Sequence, residues 1–231
     1  MERKYEHIFF DLDRTLWHFD ENSRKVLGDI YHKFHLYKYI DLPDDFISVY
    51  EIINEELWTL YRNGKIAKEN LRSERFHQTL LKFKNNNEPL ADEIGTYYVD
   101  NSPLQTILLP FAIDVLEHLK GRYQMHIITN GFEEIQLIKL NNSKIEHYFD
   151  QVIFSEKVGV KKPHPLIFKQ AIKGAGATFE NSLMIGDDFY ADICGAQRVK
   201  MDSIYFNYNK TVHNYKIDRE INCLSELFEI L

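Results

Sequence analysis

Two aspartates, Asp11 and Asp13, stand two residues apart directly behind the apolar run Ile8-Phe9-Phe10. On extended backbone, residues two apart point the same way. Two carboxylates so placed repel unless one is raised in pKa or a cation sits between them. A solvated acidic turn at a strand end is the plainer reading and suffices for one Asp. D-x-D-x-T-L immediately after an apolar strand favours a site. Three further stretches carry residues that suit it. Asp187 and Asp188 follow Ser182–Ile185, and Thr129-Asn130-Gly131 follows Met125–Ile128. Lys162 precedes a proline, which biases its backbone to an extended form. Asp11, Asp13 and Asp187 offer hard oxygen ligands of the kind that suit Mg²⁺. Thr129 offers a hydroxyl, and the Asn130-Gly131 backbone lies near a helix start, where anions bind. Together these residues supply a nucleophile, an acid/base and electrophiles, the set needed for phosphoryl transfer to a carboxylate.

The elements that must position them are legible from periodicity. Strand signals at Ile8–Phe10, Met125–Ile128, Gln151–Phe154, Ser182–Ile185 and Ser203–Phe206 alternate with helix signals at Ile113–Leu119, Phe132–Leu140, Leu166–Ile172 and Asp192–Arg198, and a closing helix at Leu224–Leu231. Such alternation predicts an α/β fold, a Rossmann-like parallel sheet covered on both faces. Ligands in such sheets sit at the carboxyl ends of the strands, where Asp11, Asp13, Thr129 and Asp187 all fall. Between Glu21 and Asp100 the apolar residues recur at three and four, as in Phe46, Val49, Tyr50, Ile53, Leu57 and Leu60, and no strand is predicted. This stretch reads as an all-helical domain inserted after the first strand.

Composition bounds the rest. The chain has 231 residues, 44% of them hydrophobic, and a formal net charge of −7. That allows a substantial core and argues against nucleic acid as a partner. Two cysteines, Cys194 and Cys223, give no disulfide framework. No apolar stretch approaches the ~20 residues of a membrane span, and no signal peptide is recognisable. The expected setting is cytoplasmic, without a membrane partner. Phosphate loops of the G-x-x-x-x-G-K type, G-x-G-x-x-G, G-x-S-x-G and H-E-x-x-H are missing. The ten histidines are scattered, and His126 in a strand reads as a core residue.

The chain resembles the haloacid dehalogenase-like (HAD) hydrolase superfamily, whose four motifs are recognisable in order. HIFFDLDRTL at 7–16 matches the first and IITNG at 127–131 the second. VGVKKPHPLIF at 158–168 matches the third and MIGDDFYADICGA at 184–196 the fourth. The helical insertion resembles the alpha-helical cap of subfamily I. The resemblance implies a core of residues 1–16 and 107–231 and a cap of 17–106, joined by two short linkers and expected to move as a lid. It implies that Asp11 is a nucleophile that becomes an aspartyl phosphate, and that Asp13 protonates the leaving alcohol and then activates water. Thr129 and Lys162 would hold the phosphoryl oxygens, with Asn130 and Gly131 beside them. Mg²⁺ would take the Asp11 carboxylate, the Asp13 backbone carbonyl and Asp187, with Asp192 orienting the metal shell or Lys162. Asp188 could share the metal role. Lys161 reads as a solvated neighbour of Lys162, and Arg14 as either a structural ion pair or a substrate contact.

These residues imply a Mg²⁺-dependent phosphatase of a small phosphomonoester, as a monomer or weak homodimer. INEELWTLYRNGKIAKENLRSERF at 53–76 resembles the YjjG-like branch, which points to nucleoside 5′-monophosphates. Basic residues at Arg62, Lys65, Lys68, Arg72, Arg75, Lys82 and Lys84, with aromatic Trp17, Phe19, Trp58 and Tyr61, would suit a nucleotide. For most of them a solvated helix face or a core position is the plainer expectation. A sugar-phosphate phosphatase or a phosphomutase would use the same residues. A 2-haloacid dehalogenase shares the fold and nucleophile but leaves Asp13 without a task, and a non-catalytic phosphate-binding protein would leave all of them idle.

Overall fold

The computed structural model describes residues 4–231. In chain order the elements are β1 (His7–Phe10), α1 (Phe19–Lys33), α2 (Pro43–Arg62), α3 (Lys68–Lys82), α4 (Glu88–Asn101), α5 (Ala112–Leu119), β2 (Gln124–Thr129) and α6 (Glu133–Asn142). There follow β3 (Gln151–Phe154), α7 (Ser155–Val158), α8 (Pro165–Ala175), β4 (Ser182–Gly186), a π-helical turn (Phe189–Ile193), α9 (Cys194–Arg198), β5 (Asp202–Phe206), β6 (Glu220–Ile221) and α10 (Leu227–Ile230). The chain divides into two compact units. One comprises the chain up to Phe19 together with Thr106–Leu231, and the other Asp20–Gln105.

The first unit is built on a six-stranded sheet in the order β3-β2-β1-β4-β5-β6, every pairing parallel. β1 lies between β2 and β4, with Phe10 level with Ile127 on one side and Ile185 on the other. Strand side chains alternate between faces, and the two faces carry separate apolar clusters. Ile8, Phe10, Ile127, Leu183 and Ile185 pack on one side with Val115, Leu116 and Leu119 of α5. Phe9, Ile128 and Met184 pack on the other with Ile167, Phe168 and Ala171 of α8. Burial on both faces is why these strands read as continuous apolar runs. His126 is buried against the Phe9 ring at 4.6 Å, and burial lowers its pKa to about 4, so it is a neutral core residue. The strand order reverses at β1, and the carboxyl ends of β1, β2 and β4 bring Asp11, Thr129 and Asp187 to one edge of the sheet.

The second unit is helical. α3 packs on both α2 and α4, around Leu27, Ile30, Phe46, Tyr50, Phe76, Leu80 and Ile94. The basic stretch departs here from a solvated face at one position. Arg75 is buried, with its guanidinium 4.7 Å from the Tyr98 ring centroid and donating to Asn54 Oδ1 at 3.2 Å. Arg62 instead pairs with Glu55 at the surface.

Three boundaries differ from those periodicity predicts. β6 is two residues long and pairs with β5, too short to show any alternation. The helix expected over Asp192–Arg198 starts earlier, with the π turn at Phe189–Ile193. Leu224–Leu231 is a 3₁₀ turn followed by the single turn of α10. No helix among the described residues is long and apolar enough to cross a membrane.

Candidate active site

The turn after β1 is shaped by its own backbone. Asp11 N donates to Ile185 O of β4 at 2.9 Å, anchoring the end of the strand. Leu12 O then accepts from both Leu16 N (3.0 Å) and Trp17 N (2.9 Å), with Leu12, Leu16 and Trp17 fully buried beneath. Closing so short a loop puts Arg14 in the left-handed region (φ 64°), where a non-glycine residue costs ~1–3 kcal/mol. The loop thereby projects Asp11, Asp13 and Thr15 from one fixed frame. The Arg14 guanidinium lies 4.7 Å from the Phe19 ring, and its charge partly offsets the crowding of carboxylates at Asp187.

Lys162 is the centre of the site. It is 2% exposed, and its ammonium has three donors for three acceptors: Asp11 Oδ1 at 2.6 Å, Asp192 Oδ1 at 2.6 Å and Ile128 O at 2.7 Å. Burial works against this cation, but the two carboxylates outweigh it and hold its pKa above the ordinary lysine value. Its backbone is clamped by Asn130, whose side-chain amide accepts from Lys162 N (2.8 Å) and donates to Lys162 O (3.0 Å). The Asn130 side chain therefore holds the lysine in place. Lys161, its neighbour, is partly buried, which lowers its pKa.

Asp11, Asp187 and Asp192 converge, each with an oxygen within 4.8 Å of the others. Burial raises the carboxyl pKa of all three, and repulsion from neighbouring carboxylates (Asp13 in the case of Asp11) adds to it; Asp192 is pushed up to about 7 and Asp187 well above the usual carboxylate range. The Lys162 ammonium pairs with two of these three carboxylates, Asp11 and Asp192, and the ligand atoms of all three are hard oxygens. A small divalent cation such as Mg²⁺ fits both the charge deficit and the donor type. Thr15 stands inside this cluster, fully buried, with its hydroxyl 3.4 Å from Asp11 Oδ2 and 3.2 Å from Asp187 Oδ1. Gly186 is required by close approach: a Cβ there would lie 2.2 Å from Asp192 Oδ2.

Asp13 does not join that convergence. Its carboxylate is drawn toward α6, where Lys139 Nζ meets Oδ1 at 2.5 Å and Gln136 Nε2 donates to Oδ2 at 2.8 Å. Thr129 Oγ1 accepts from Gly131 N (3.0 Å) and from the same Gln136 Nε2 (2.8 Å), so the Gly131 amide is engaged locally. Asp188 is occupied as a cap, with Oδ1 accepting from Tyr190 N and Ala191 N, both at 2.9 Å, while its own N–H donates to Asp192 Oδ2.

Thr15, Gln136 and Lys139 are site residues that sequence reasoning passed over. Thr15 sits inside the D-x-D-x-T-L stretch, but a Thr at the end of a turn carries no chemical signal of its own. The α6 pair is hidden because it takes core positions beside Leu140: Gln136 and Lys139 are buried while Leu137 and Ile138 are exposed. The usual rule of apolar residues inward would turn Leu137 and Ile138 inward instead.

Comparison with known proteins agrees with this architecture. Residues 5–200 match the family model described as haloacid dehalogenase-like hydrolase. Pyrimidine 5′-nucleotidase YjjG of Escherichia coli (strain K12) is 31% identical over 205 residues, covering 88% of this chain and 87% of that protein. The glyceraldehyde 3-phosphate phosphatase of Pyrococcus furiosus is also 31% identical, over 99% of this chain and 94% of its own. The magnesium-bound crystal structure of YfnB from Bacillus subtilis, which reveals interdomain movement, superposes with a TM-score of 0.88 at 25% identity and covers 99% of both chains. With a carboxylate-rich site at the head of a parallel sheet and a family match over most of its length, the chain belongs to the haloacid dehalogenase-like hydrolase family.

Proposed function

We propose that this chain is a Mg²⁺-dependent phosphatase that hydrolyses a nucleoside 5′-monophosphate through a phosphoryl group carried on Asp11. The observation that carries this reading is the Lys162-centred pairing of Asp11 at the end of β1, with Asp13 two residues on and held separately. In the first step an Asp11 carboxylate oxygen forms a bond to phosphorus. The P–O bond to the alcohol breaks, its electron pair passes to the alcohol oxygen, and that oxygen takes a proton from Asp13. In the second step Asp13 accepts a proton from water, whose oxygen bonds to phosphorus as the bond to Asp11 breaks. Inorganic phosphate leaves and both aspartates return to their starting states. Lys162 keeps the Asp11 oxygen oriented, and the Thr129 hydroxyl faces the transferring oxygens. Asp11 and Asp187, with the Asp13 backbone carbonyl, would hold Mg²⁺, which offsets the charge of carboxylates and phosphate together. The acid and base work of Asp13 is what favours an ester over a halide, since halide leaves without protonation.

The substrate assignment rests on the similarity to pyrimidine 5′-nucleotidases, YjjG and the PynA protein of Streptococcus pneumoniae, each 31% identical over 88% of this chain. Glyceraldehyde 3-phosphate is the second reading, favoured by an equal identity spread over nearly the whole chain. A phosphate-release screen over nucleotides, sugar phosphates and other small phosphomonoesters with the Mg²⁺-loaded protein separates them. Pyrimidine nucleoside 5′-monophosphates are expected to give the highest kcat/KM, with release abolished by excess chelator and restored by Mg²⁺. Preference for glyceraldehyde 3-phosphate, with nucleotides at background, would replace the substrate and leave the Asp11 chemistry standing. Full turnover in chelator would remove the metal from the account.

A further inference from the structure

On α6 two polar side chains, Gln136 and Lys139, share the buried face with Leu140, while Leu137 and Ile138 are left exposed. Gln136 is completely buried and Lys139 is 4% exposed, whereas Leu137 and Ile138 are 37% and 38% exposed. Burying a lysine and an amide costs free energy that burying Leu137 and Ile138 would not, so the orientation of the helix serves the contacts that the polar pair makes. Three residues apart, the two side chains share one helix face, and both reach Asp13: Lys139 Nζ at Oδ1, Gln136 Nε2 at Oδ2. The same Gln136 Nε2 donates to Thr129 Oγ1 at 2.8 Å. With Gly131 N donating there too, both lone pairs of the Thr129 hydroxyl are filled. Its proton is left to point away from this cluster, and no described residue accepts it.

The link is built tightly. A Cβ on Gly131 would lie 1.9 Å from Gln136 Nε2, so the glycine of the Thr129-Asn130-Gly131 turn leaves the space that the amide fills. Lys139 is seated with its ammonium 4.1 Å from the ring centroid of the fully buried Trp17, which closes the turn carrying Asp13.

We propose that Gln136 and Lys139 are positioning residues that lock Asp13 and Thr129 into one unit, so that the group protonating the leaving alcohol keeps register with the hydroxyl holding the phosphoryl oxygens. The inference rests on the phosphatase reading, and it predicts a dependence on the leaving group. An alkyl alcohol leaves only if it is protonated as the P–O bond breaks. p-Nitrophenolate leaves as a stable anion and gains little from the acid.

The test compares kcat/KM, which reports the steps through first phosphoryl transfer, for p-nitrophenyl phosphate and for whichever alkyl ester the parent turns over best. Lys139→Met keeps the length and removes the charge. It is expected to lower kcat/KM for the alkyl ester by about 10²-fold, within the range of general acid catalysis, and for p-nitrophenyl phosphate by at least ~10-fold less. Lys139→Arg should recover most of the alkyl activity. Gln136→Leu, which severs the link without touching the packing of Trp17 on Lys139, should show the same discrimination and serves if Lys139→Met does not fold. Equal losses on both esters, without recovery by Lys139→Arg, would mean a packing role and overturn the proposal, as would unchanged kinetics in both variants. A parent inert toward both esters would instead overturn the phosphatase reading, and this inference with it.

Discussion

On the proposed chemistry, Asp11→Asn is expected to abolish turnover while leaving the fold intact. Losing a nucleophile removes the chemical step rather than one contact, and losses of ~10⁴-fold or more in kcat are expected for such groups. The stability side of this prediction is less intuitive and follows from charge. Asp11 is one of three converging carboxylates, and burial and repulsion both work against its ionised form. Replacing it with an amide leaves Lys162 paired one-to-one with Asp192 and lightens the negative excess. Thermal unfolding of metal-free Asp11→Asn should therefore occur at or above the parent temperature, although its kcat has collapsed. A variant that is both inactive and strongly destabilised would contradict this charge balance.

Lys162→Met does the reverse. Removing the one ammonium at the centre leaves the buried carboxylates of Asp11 and Asp192 without their partner. Breaking a buried pair in this way costs ~3–5 kcal/mol, because an uncompensated charge stays behind. Urea unfolding should show that deficit, and activity should vanish with it. The deficit depends on pH. Burial, with Asp11 and Asp188 nearby, pushes the Asp192 carboxyl up to about 7 even with the lysine present, against an ordinary 3.8. A carboxyl whose folded pKa is raised binds its proton more tightly in the native state, so it destabilises the fold once both states are ionised. That penalty is relieved as pH falls through the folded value. Losing the ammonium raises the Asp192 value further, so the Lys162→Met deficit should be greatest well above pH 7 and shrink as pH falls toward 7 and the variant's Asp192 takes up its proton. Adding Asp192→Asn to Lys162→Met should recover part of it, since the two side chains are in direct contact.

The parallel sheet was readable because its strands are buried on both faces and end abruptly in polar residues. Ile8-Phe9-Phe10 before Asp11 and Leu183-Met184-Ile185 before Gly186-Asp187 are short runs that a surface strand would interrupt. The helices of Asp20–Gln105 announced themselves through ordinary amphipathic spacing. Four kinds of feature were not readable. β6 is too short to carry a pattern. Arg75 is buried against Tyr98 and Asn54, which come from other helices and are distant in sequence. In α6 Gln136 and Lys139 share the buried face with Leu140 while Leu137 and Ile138 are solvated, an arrangement that its apolar residues do not announce. That failure marks the part of the site where contacts to Asp13 outweigh apolar burial. The fourth is the divergence of the two aspartates, which their spacing does not show. Spacing suggests that Asp11 and Asp13 act on one point, yet Asp11 turns to Lys162 and Asp13 to Lys139.

The claim on which the account depends is that phosphorus is bonded to Asp11 during turnover. The most direct measurement is to quench the Mg²⁺-loaded protein in acid during steady-state turnover of a phosphoryl-labelled substrate and to map the labelled peptide. Label is expected on the peptide containing Asp11, released by hydroxylamine as an acyl phosphate is, and absent from Asp11→Asn. Label on a peptide that lacks Asp11 would contradict it.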